Sequence, residues 1–154
     1  NTQTAGRIRR IRKYVGDEPF MLTYGDGVSD VDLNALLRFH EQAGGIVTLT
    51  GVNIAQRFGV LEMDGRGNVV EFREKSDDDE AAINGGFMVI EPRLFEEPLG
   101  DAEDFSKVTL RALADRGELT AYRHTGYWQP MDTARDRAFL EEAWASGDAP
   151  WKVW

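Results

Sequence analysis

Short apolar runs alternate along this chain with segments of helical periodicity, and that order constrains its fold more than any other feature. The run PFMLTY at 19–24 ends at Gly25-Asp26-Gly27, as a buried strand followed by a sharp turn does. Residues 31–45 then repeat apolar side chains every three or four positions, and the β-branched run 46–52 follows. This order of strand, helix and strand predicts an α/β domain with a mostly parallel sheet.

The remaining segments extend the same pattern. Two alternating runs flank Asp64 to Asn68 and predict an inserted β-hairpin over 60–75. Asp30 or Ser29 is expected to cap the helix that follows the first strand. Further strands are predicted over 83–90 and 119–126, and further helices over 8–15, 105–115 and 133–145. No internal repeat is present, so residues 1–154 are expected to form a single domain.

The composition excludes several classes of function. The chain has no cysteine, which rules out disulfide scaffolds, thiolate zinc sites and cysteine nucleophiles. Its two histidines, His40 and His124, are too few for a multi-histidine metal site. A net charge of −9 opposes binding to nucleic acid. No apolar run approaches the roughly 18 residues of a membrane span, and no segment resembles a signal peptide, so we expect a cytoplasmic protein.

Two charged segments allow more than one interpretation. The first 13 residues hold five basic residues and no acid, so this segment either binds phosphate or is the exposed face of a short helix. The second interpretation is favoured. The acidic run from Asp77 to Glu80 lacks the alternating ligands and central glycine of a calcium loop, which favours an exposed loop.

Two aspartates follow predicted strands at places where α/β sheets bind ligands. Asp26 follows the run 19–24, and Asp132 lies between a strand and the helix that begins at Thr133. Ligands bind outside the carboxyl ends of strands in open α/β sheets, and magnesium prefers one or two carboxylates together with phosphate oxygens. Asp26 would equally suit a tight turn, and Asp132 would equally cap the following helix. The spacing leaves these alternatives open.

Three further features have a structural and a functional interpretation. Lys75 closes the second hairpin strand with Glu74, and it matters for function only if it points into the same cleft, where it would neutralise a phosphate. Asn84-Gly85-Gly86 either presents an amide and bare backbone to sugar hydroxyls or forms a β-bulge. Packing or an interface is favoured over base stacking for five aromatic residues, namely Tyr127, Trp128, Trp144, Trp151 and Trp154.

The order of four short motifs resembles a known family. These motifs are YGDG at 24–27, RFGVLEMDGRGNVVEFREK at 57–75, INGGF at 83–87 and YWQPMDT at 127–133. Together they resemble the sugar-1-phosphate nucleotidyltransferases, and most closely the glucose-1-phosphate cytidylyltransferases. The segment 128–154 is similar to the C-terminus of those enzymes almost throughout, so the resemblance covers essentially the whole chain.

The resemblance implies both a fold and a reaction. The fold is a Rossmann-like nucleotidyltransferase fold, and the reaction transfers a cytidylyl group from CTP to glucose 1-phosphate for nucleotide-sugar biosynthesis of the deoxysugar or O-antigen type. The resemblance assigns Asp26 and Asp132 as Mg²⁺ ligands and Lys75 as the lysine that holds the sugar phosphate. Glu74, Asn84 and Gly85-Gly86 match sugar-contacting positions, whereas Arg7 and Gly25 match positions beside the nucleotide.

The chain departs from the family pattern in three places. No segment matches the glycine-rich nucleotide loop, so we expect the C-terminal portion of such an enzyme, incomplete at its N-terminus and inactive alone. Ser76 replaces a usual proline, and Val108-Thr109 replaces a common Glu-Pro pair. A non-catalytic sugar-phosphate-binding or assembly module remains the alternative. The aromatic tail and an unpaired strand edge predict a homo-oligomer.

Overall fold

A computed structural model describes residues 2–53, 60–63, 69–73 and 82–154 of the chain. Its strands are β1 Phe20–Leu22, β2 Gly27–Ser29, β3 Val47–Asn53, β4 Val60–Met63, β5 Val69–Arg73, β6 Ala82–Ile90, β7 Leu119–His124 and β8 Trp128–Pro130. Its α-helices are α1 Thr4–Val15, α2 Leu33–Ala43, α3 Arg111–Asp115 and α4 Ala134–Ser146. A 3₁₀ helix covers Pro92–Glu96, and a π-helix over Phe105–Leu110 leads directly into α3.

The central sheet has four strands in the order β1-β6-β3-β7. β3 and β7 are parallel, whereas β6 is antiparallel to both β1 and β3. Strands β1, β3 and β7 therefore run in one direction, which confirms the predicted mixed α/β sheet with parallel strands. Two of its three strand pairs are antiparallel, because β6 lies between β1 and β3. The carboxyl ends of these three strands and the beginning of β6 meet at one edge, the place where sheets of this kind bind ligands.

Two smaller sheets accompany the central one. β4 and β5 pair in antiparallel register from Val60↔Arg73 to Met63↔Val69, which confirms the inserted hairpin. Its predicted turn, Asp64 to Asn68, lies outside the described residues. β2 and β8 form a second two-stranded antiparallel sheet that the sequence patterns did not predict. We call this pair, β2 with β8, the ribbon.

The main hydrophobic core lies on one face of the central sheet. Val47, Met88 and Ile90 of the sheet are almost completely buried there against α1, the π-helix and α3. The core residues on α1, the π-helix and α3 are Ala5, Ile8, Phe105, Leu110 and Leu113. Burying a side chain of this size stabilises a fold by about 1.5–3 kcal/mol, so these contacts fix the helices on that face.

The opposite face of the sheet is covered by α2. His40 of this helix is 2% exposed, and its Nδ1 lies 2.7 Å from Thr48 Oγ1 while its Nε2 lies 3.2 Å from Glu91 Oε1. Thr48 Oγ1 also bonds Thr120 Oγ1 at 2.7 Å. Both ring nitrogens of His40 therefore have partners, as a buried polar group requires, and the residue is structural. Helices thus cover both faces of the sheet, as in an α/β domain.

The caps of α2 and α4 differ from the predictions. Asp32 caps α2 by accepting a hydrogen bond from Ala35 N at 2.9 Å, so the prediction of Asp30 or Ser29 was wrong. The reason is tertiary, because Ser29 pairs with Trp128 and Asp30 N bonds Tyr127 O in the ribbon.

Thr133, and not Asp132, caps α4. Its hydroxyl accepts from Asp136 N at 3.2 Å, and Asp136 in turn accepts from Thr133 N at 2.9 Å, which forms a capping box. The hydrogen bond from the Thr133 side chain is the main reason that the pKa of Asp136 is lowered. Asp132 is therefore not needed as a cap.

The basic opening segment is the exposed face of α1. Arg9 and Arg10 bind the two carboxylate oxygens of Asp101 at 2.9 and 2.8 Å, and Arg12 lies 3.6 Å from Asp17. All three arginines are exposed. For these three arginines, the contacts favour the predicted helix face over a phosphate site, because each already lies beside a carboxylate of the chain itself.

We expect Thr133→Ala to lower the free energy of unfolding by about 1 kcal/mol, the usual effect of losing a side-chain cap. Urea unfolding followed by tryptophan fluorescence measures this change. Thr125→Ala is the control, because Thr125 is exposed and lies outside the capping box. Equal effects of the two substitutions would contradict the assignment of Thr133 as the cap.

Candidate active site

The ribbon brings the two predicted metal-binding aspartates to one place. It pairs Gly27 with Pro130, and at the next position Met131 N donates to Asp26 O at 2.7 Å. Asp132 follows directly along the chain, so two residues 106 positions apart in sequence lie on adjacent backbones. Both side chains are exposed, and neither takes part in an ion pair with residues 2–53 or 82–154.

The glycines that flank Asp26 are not required by the packing of the chain. Neither Gly25 nor Gly27 has a positive φ. A Cβ on Gly25 would meet no atom within 4 Å, and one on Gly27 would lie 3.8 Å from Trp128 Nε1, an ordinary contact. Since other residues would fit this turn, the glycines instead leave its backbone open to close approach from outside.

The segment Asn84-Gly85-Gly86 forms a bulge at the beginning of β6. β3 advances two residues from Leu49 to Gly51 while its partners on β6 move four residues, from Met88 to Asn84. Gly86 has a φ of +83°, and a Cβ there would lie 2.8 Å from Tyr24 Cδ2. The bulge interpretation is therefore confirmed. Asn84 Oδ1 accepts from Gly86 N at 2.9 Å, so an incoming ligand would meet the amide nitrogen of Asn84.

Two side chains connect this bulge to the other parts of the site. Trp128 of the ribbon donates its indole N–H to Gly85 O at 2.8 Å. Tyr24, which precedes Gly25, packs against Gly86 and bonds Ser106 Oγ of the π-helix at 2.8 Å. The Asp26 loop, the bulge and the ribbon are thus one connected unit. Trp128 acts here in packing, as predicted for the aromatic group.

A cavity of about 190 Å³ opens beside the bulge. Small residues lie against it, and the polar side chains at it are Asn53 of β3 and Arg123 of β7. Gly51 pairs with both Asn84 and Arg123, so these residues occupy one face at the same sheet edge. Asn53 and Arg123 were not predicted as site residues, although each ends or nearly ends its strand at the ligand-binding edge.

The other predicted site residues are placed as follows. Gly25 is exposed beside Asp26, and Gly85 and Gly86 are buried in the bulge. Arg7 is exposed on α1, where its Nε donates to Thr2 O at 2.9 Å, and the described contacts do not join it to the ribbon. Glu74 and Lys75 lie outside the described residues, as do Ser76 and the acidic run from Asp77 to Glu80. Their predicted roles stay predictions.

The donors in the described part of the chain do not form a complete metal cage. Among residues 2–53 and 82–154 there is no cluster of three or more histidine, aspartate or glutamate side chains suited to a metal ion. A typical magnesium site in a protein, however, uses only one or two carboxylates as protein ligands. Its remaining ligands are water and substrate phosphate. The donor set at Asp26 and Asp132 therefore fits Mg²⁺ bound together with a phosphate substrate.

Comparison with known proteins identifies the family. The nucleotidyl transferase family model matches residues 1–145. The chain belongs to the nucleotidyl transferase family. It is 45% identical over its whole length to the glucose-1-phosphate cytidylyltransferases of Salmonella typhi and Salmonella typhimurium, of which it covers 60%. The match lies in the C-terminal portion of those relatives.

Solved structures support the same fold. HddC from Yersinia pseudotuberculosis superposes with a TM-score of 0.67 at 21% identity, covering 93% of this chain and 63% of that protein. This likeness concerns the fold alone, and it confirms the Rossmann-like nucleotidyltransferase architecture. The chain spans about three fifths of the length of the Salmonella relatives and of HddC. Of the helices in the described residues, none is both long and apolar enough to cross a membrane.

Tyr127, at the turn into the ribbon, carries a buried hydroxyl that has no hydrogen-bond partner among the described residues. Its ring stacks on Trp151 with centroids 5.7 Å apart. Burial raises the pKa of Tyr127 above the usual 10.0. An unsatisfied buried hydroxyl opposes folding, because it has lost its hydrogen bonds to water.

We expect Gly86→Ala to destabilise the protein more than Gly147→Ala. Both glycines have φ values near +80°, but only a Cβ at Gly86 would collide with a neighbouring side chain. Gly147→Ala should therefore lower the free energy of unfolding by about 1 kcal/mol, the cost of a left-handed backbone for alanine. Gly86→Ala should lower it further, because the new Cβ also clashes with Tyr24. The measurement is urea unfolding in the wild-type and Tyr24→Ala backgrounds. An excess cost at Gly86 that persists without the Tyr24 ring would contradict this explanation.

Tyr127→Phe should raise the free energy of unfolding by about 1 kcal/mol, because it removes the unpaired buried hydroxyl. The difference in the free energy of unfolding between Tyr127→Phe and the wild type should grow above pH 10. There the unfolded wild-type chain loses its phenol proton before the folded one, so the wild type loses stability as the pH rises. Unfolding between pH 7 and 11 measures both effects. Tyr14→Phe is the control, since Tyr14 is 77% exposed, and a destabilised Tyr127→Phe would refute the expectation.

Proposed function

We propose that the protein containing this chain transfers a cytidylyl group from CTP to glucose 1-phosphate, with formation of CDP-glucose and pyrophosphate. The observation that carries the proposal is the backbone pairing of Asp26 with Met131, which sets Asp26 beside Asp132 at the ligand-binding edge. The Salmonella relatives carry the same activity in their names. We further propose a cytoplasmic enzyme of nucleotide-sugar biosynthesis, of the deoxysugar or O-antigen type.

Asp26 and Asp132 would hold Mg²⁺. When bound, the ion would supply positive charge that reduces the repulsion between two anionic substrates. The open backbone at Gly25 supports close approach of the nucleotide phosphates to this point. No general base is needed, because the attacking oxygen of a sugar phosphate is already anionic at neutral pH. This agrees with the structural use of His40 by the fold.

The acceptor sugar phosphate is proposed to bind beside the bulge. The amide nitrogen of Asn84 and the cavity between Asn53 and Arg123 offer donors to hydroxyl or phosphate oxygens. Lys75 is proposed to neutralise the sugar phosphate, with Glu74 contacting the sugar. Phosphoryl transfer depends mainly on positioning and on charge neutralisation, and this set of residues supplies both.

Arg7 is proposed to contact the nucleotide from α1. The helix is anchored near the site, since Phe105 N donates to Thr4 Oγ1 at 2.7 Å and the adjacent Ser106 bonds Tyr24. Unlike Arg9 and Arg10, Arg7 forms no ion pair with a described residue. A guanidinium in that state remains able to bind a phosphate.

A homo-oligomer is also proposed. β1 lies at the end of the strand order of the central sheet, which is typical of an edge available for pairing. The C-terminal segment exposes large apolar side chains, with Trp154 80% and Val153 68% exposed and Trp144 and Phe139 about half exposed. Monomer behaviour in sedimentation equilibrium at micromolar concentration would contradict this proposal.

The decisive experiment measures pyrophosphate release from CTP and glucose 1-phosphate by the full-length product of the gene that encodes this chain. Asp26→Asn and Asp132→Asn should each lower kcat/KM by about 100-fold or more while the protein stays folded, because each removes a ligand of a charge-neutralising ion. Asp148→Asn is the matched control, since Asp148 is exposed and remote in sequence from the ribbon.

Two outcomes would contradict the proposal. Full activity of both variants would remove the metal assignment. Binding of glucose 1-phosphate without any turnover of CTP by the full-length product would favour the non-catalytic module instead. The 154-residue chain alone is expected to be inactive, and pyrophosphate release by it would refute that expectation.

A further inference from the structure

The ribbon is too short to hold its own register. It has three residue pairs, from Gly27↔Pro130 to Ser29↔Trp128, and an isolated two-stranded ribbon is at most marginally stable in water. Its register nevertheless decides the site, because a slip of one residue turns every side chain to the other face. Such a slip would move Asp132 away from Asp26. Contacts with the central sheet must therefore help to fix the register, and the bond from Trp128 Nε1 to Gly85 O is one of them.

A compact polar cluster lies at the end of the ribbon opposite Asp26. Its centre is His124, which ends β7 and has a side chain only 9% exposed. His124 Nε2 lies 3.2 Å from Ser29 Oγ, 3.2 Å from Tyr127 O and 3.0 Å from Asp30 Oδ1. The first two contacts are hydrogen bonds, whereas the contact with Asp30 is electrostatic, since this oxygen has no aligned donor.

These contacts determine which ring nitrogen carries a proton. The three neighbours of Nε2 are all oxygen atoms, and the Ser29 hydroxyl already donates its proton to Tyr127 O at 2.8 Å. Ser29 Oγ must then accept from His124, so Nε2 is protonated. This N–H joins β2 through Ser29 to the residue that precedes β8, Tyr127. It therefore connects both strands of the ribbon to the central sheet.

We propose that His124 is a positioning residue that fixes the register of the ribbon and thereby holds Asp132 beside Asp26. The effect on the metal site rests on the proposed function, whereas the effect on register does not. His124 itself touches neither aspartate, since it acts at the far end of the ribbon. The paired backbone of β8 connects the end of the ribbon at His124 to the end at Asp132.

Register can be measured directly because the chain has no cysteine. Val28 and Gln129 are directly paired, and paired positions of antiparallel strands have Cα separations that suit a disulfide. In a Val28→Cys/Gln129→Cys chain, we expect rapid cross-linking by a mild oxidant. Adding His124→Leu should slow the cross-linking by about tenfold, since the N–H that attaches both strands of the ribbon to β7 is lost.

Two matched variants separate positioning from general stability. His124→Gln keeps an N–H donor near Nε2 and should restore most of the cross-linking rate. His40→Leu removes the other buried histidine, which also contacts a hydroxyl and a carboxylate but lies on α2 away from the ribbon. It should lower the thermal unfolding temperature and leave cross-linking unchanged.

Binding of Mn²⁺ alone, measured by electron paramagnetic resonance on the chain without the added cysteines, tests the consequence for the metal. His124→Leu should weaken it by about tenfold or more, as the loss of outer-sphere support does in other metal sites. Unchanged cross-linking in His124→Leu, or equal slowing by His40→Leu, would overturn the proposal. Slowed cross-linking in a chain whose wild type binds no Mn²⁺ would support the register role and count against the proposed metal site.

Discussion

The backbone pairing between β2 and β8 is the interaction on which the candidate site depends. The four-stranded sheet determines where β1 and β7 end. It does not determine the path of the residues that follow these two strands. The ribbon joins these two continuations, and the bond from Met131 N to Asp26 O is its last rung. These are backbone hydrogen bonds, which any residue other than proline can donate. The side chains at positions 26 and 132 are therefore not needed for the pairing and are available to bind a ligand.

The antiparallel strand β6 contributes what a parallel strand could not. Its beginning, and not its end, lies at the ligand-binding edge, and β6 is the next strand along the chain after the hairpin strands β4 and β5. The double-glycine bulge takes up the two additional residues at this entry. Glycine is needed because Gly86 is left-handed and Tyr24 packs against it. A bulge at such an edge re-aims a neighbouring side chain, which here is Asn84.

Sequence patterns predicted the long elements well and the short ones poorly. β3, β6 and α2 carry enough apolar periodicity to be recognised. The assignment of Asp26 and Asp132 came from the resemblance, and it stays a prediction. The three-residue strands of the ribbon carry no periodicity, since their residues are only half-buried. Ser29, Asp30 and Asp32 are equally good caps by chemistry, and only the pairing of the first two with β8 excludes them. Asn53 and Arg123 required knowledge of the register between β3 and β7.

The electrostatics of the domain follow from the same placement. The chain has a net charge of −9, and Arg9 and Arg10 of its basic helix α1 are directed to the same carboxylate, that of Asp101. Two exposed carboxylates on adjacent backbones repel each other and also repel phosphate. Their proximity therefore favours a cation between them. Under the proposed function, a cation bound there would, together with Arg123 on the same edge, offset the negative charge that an anionic ligand meets.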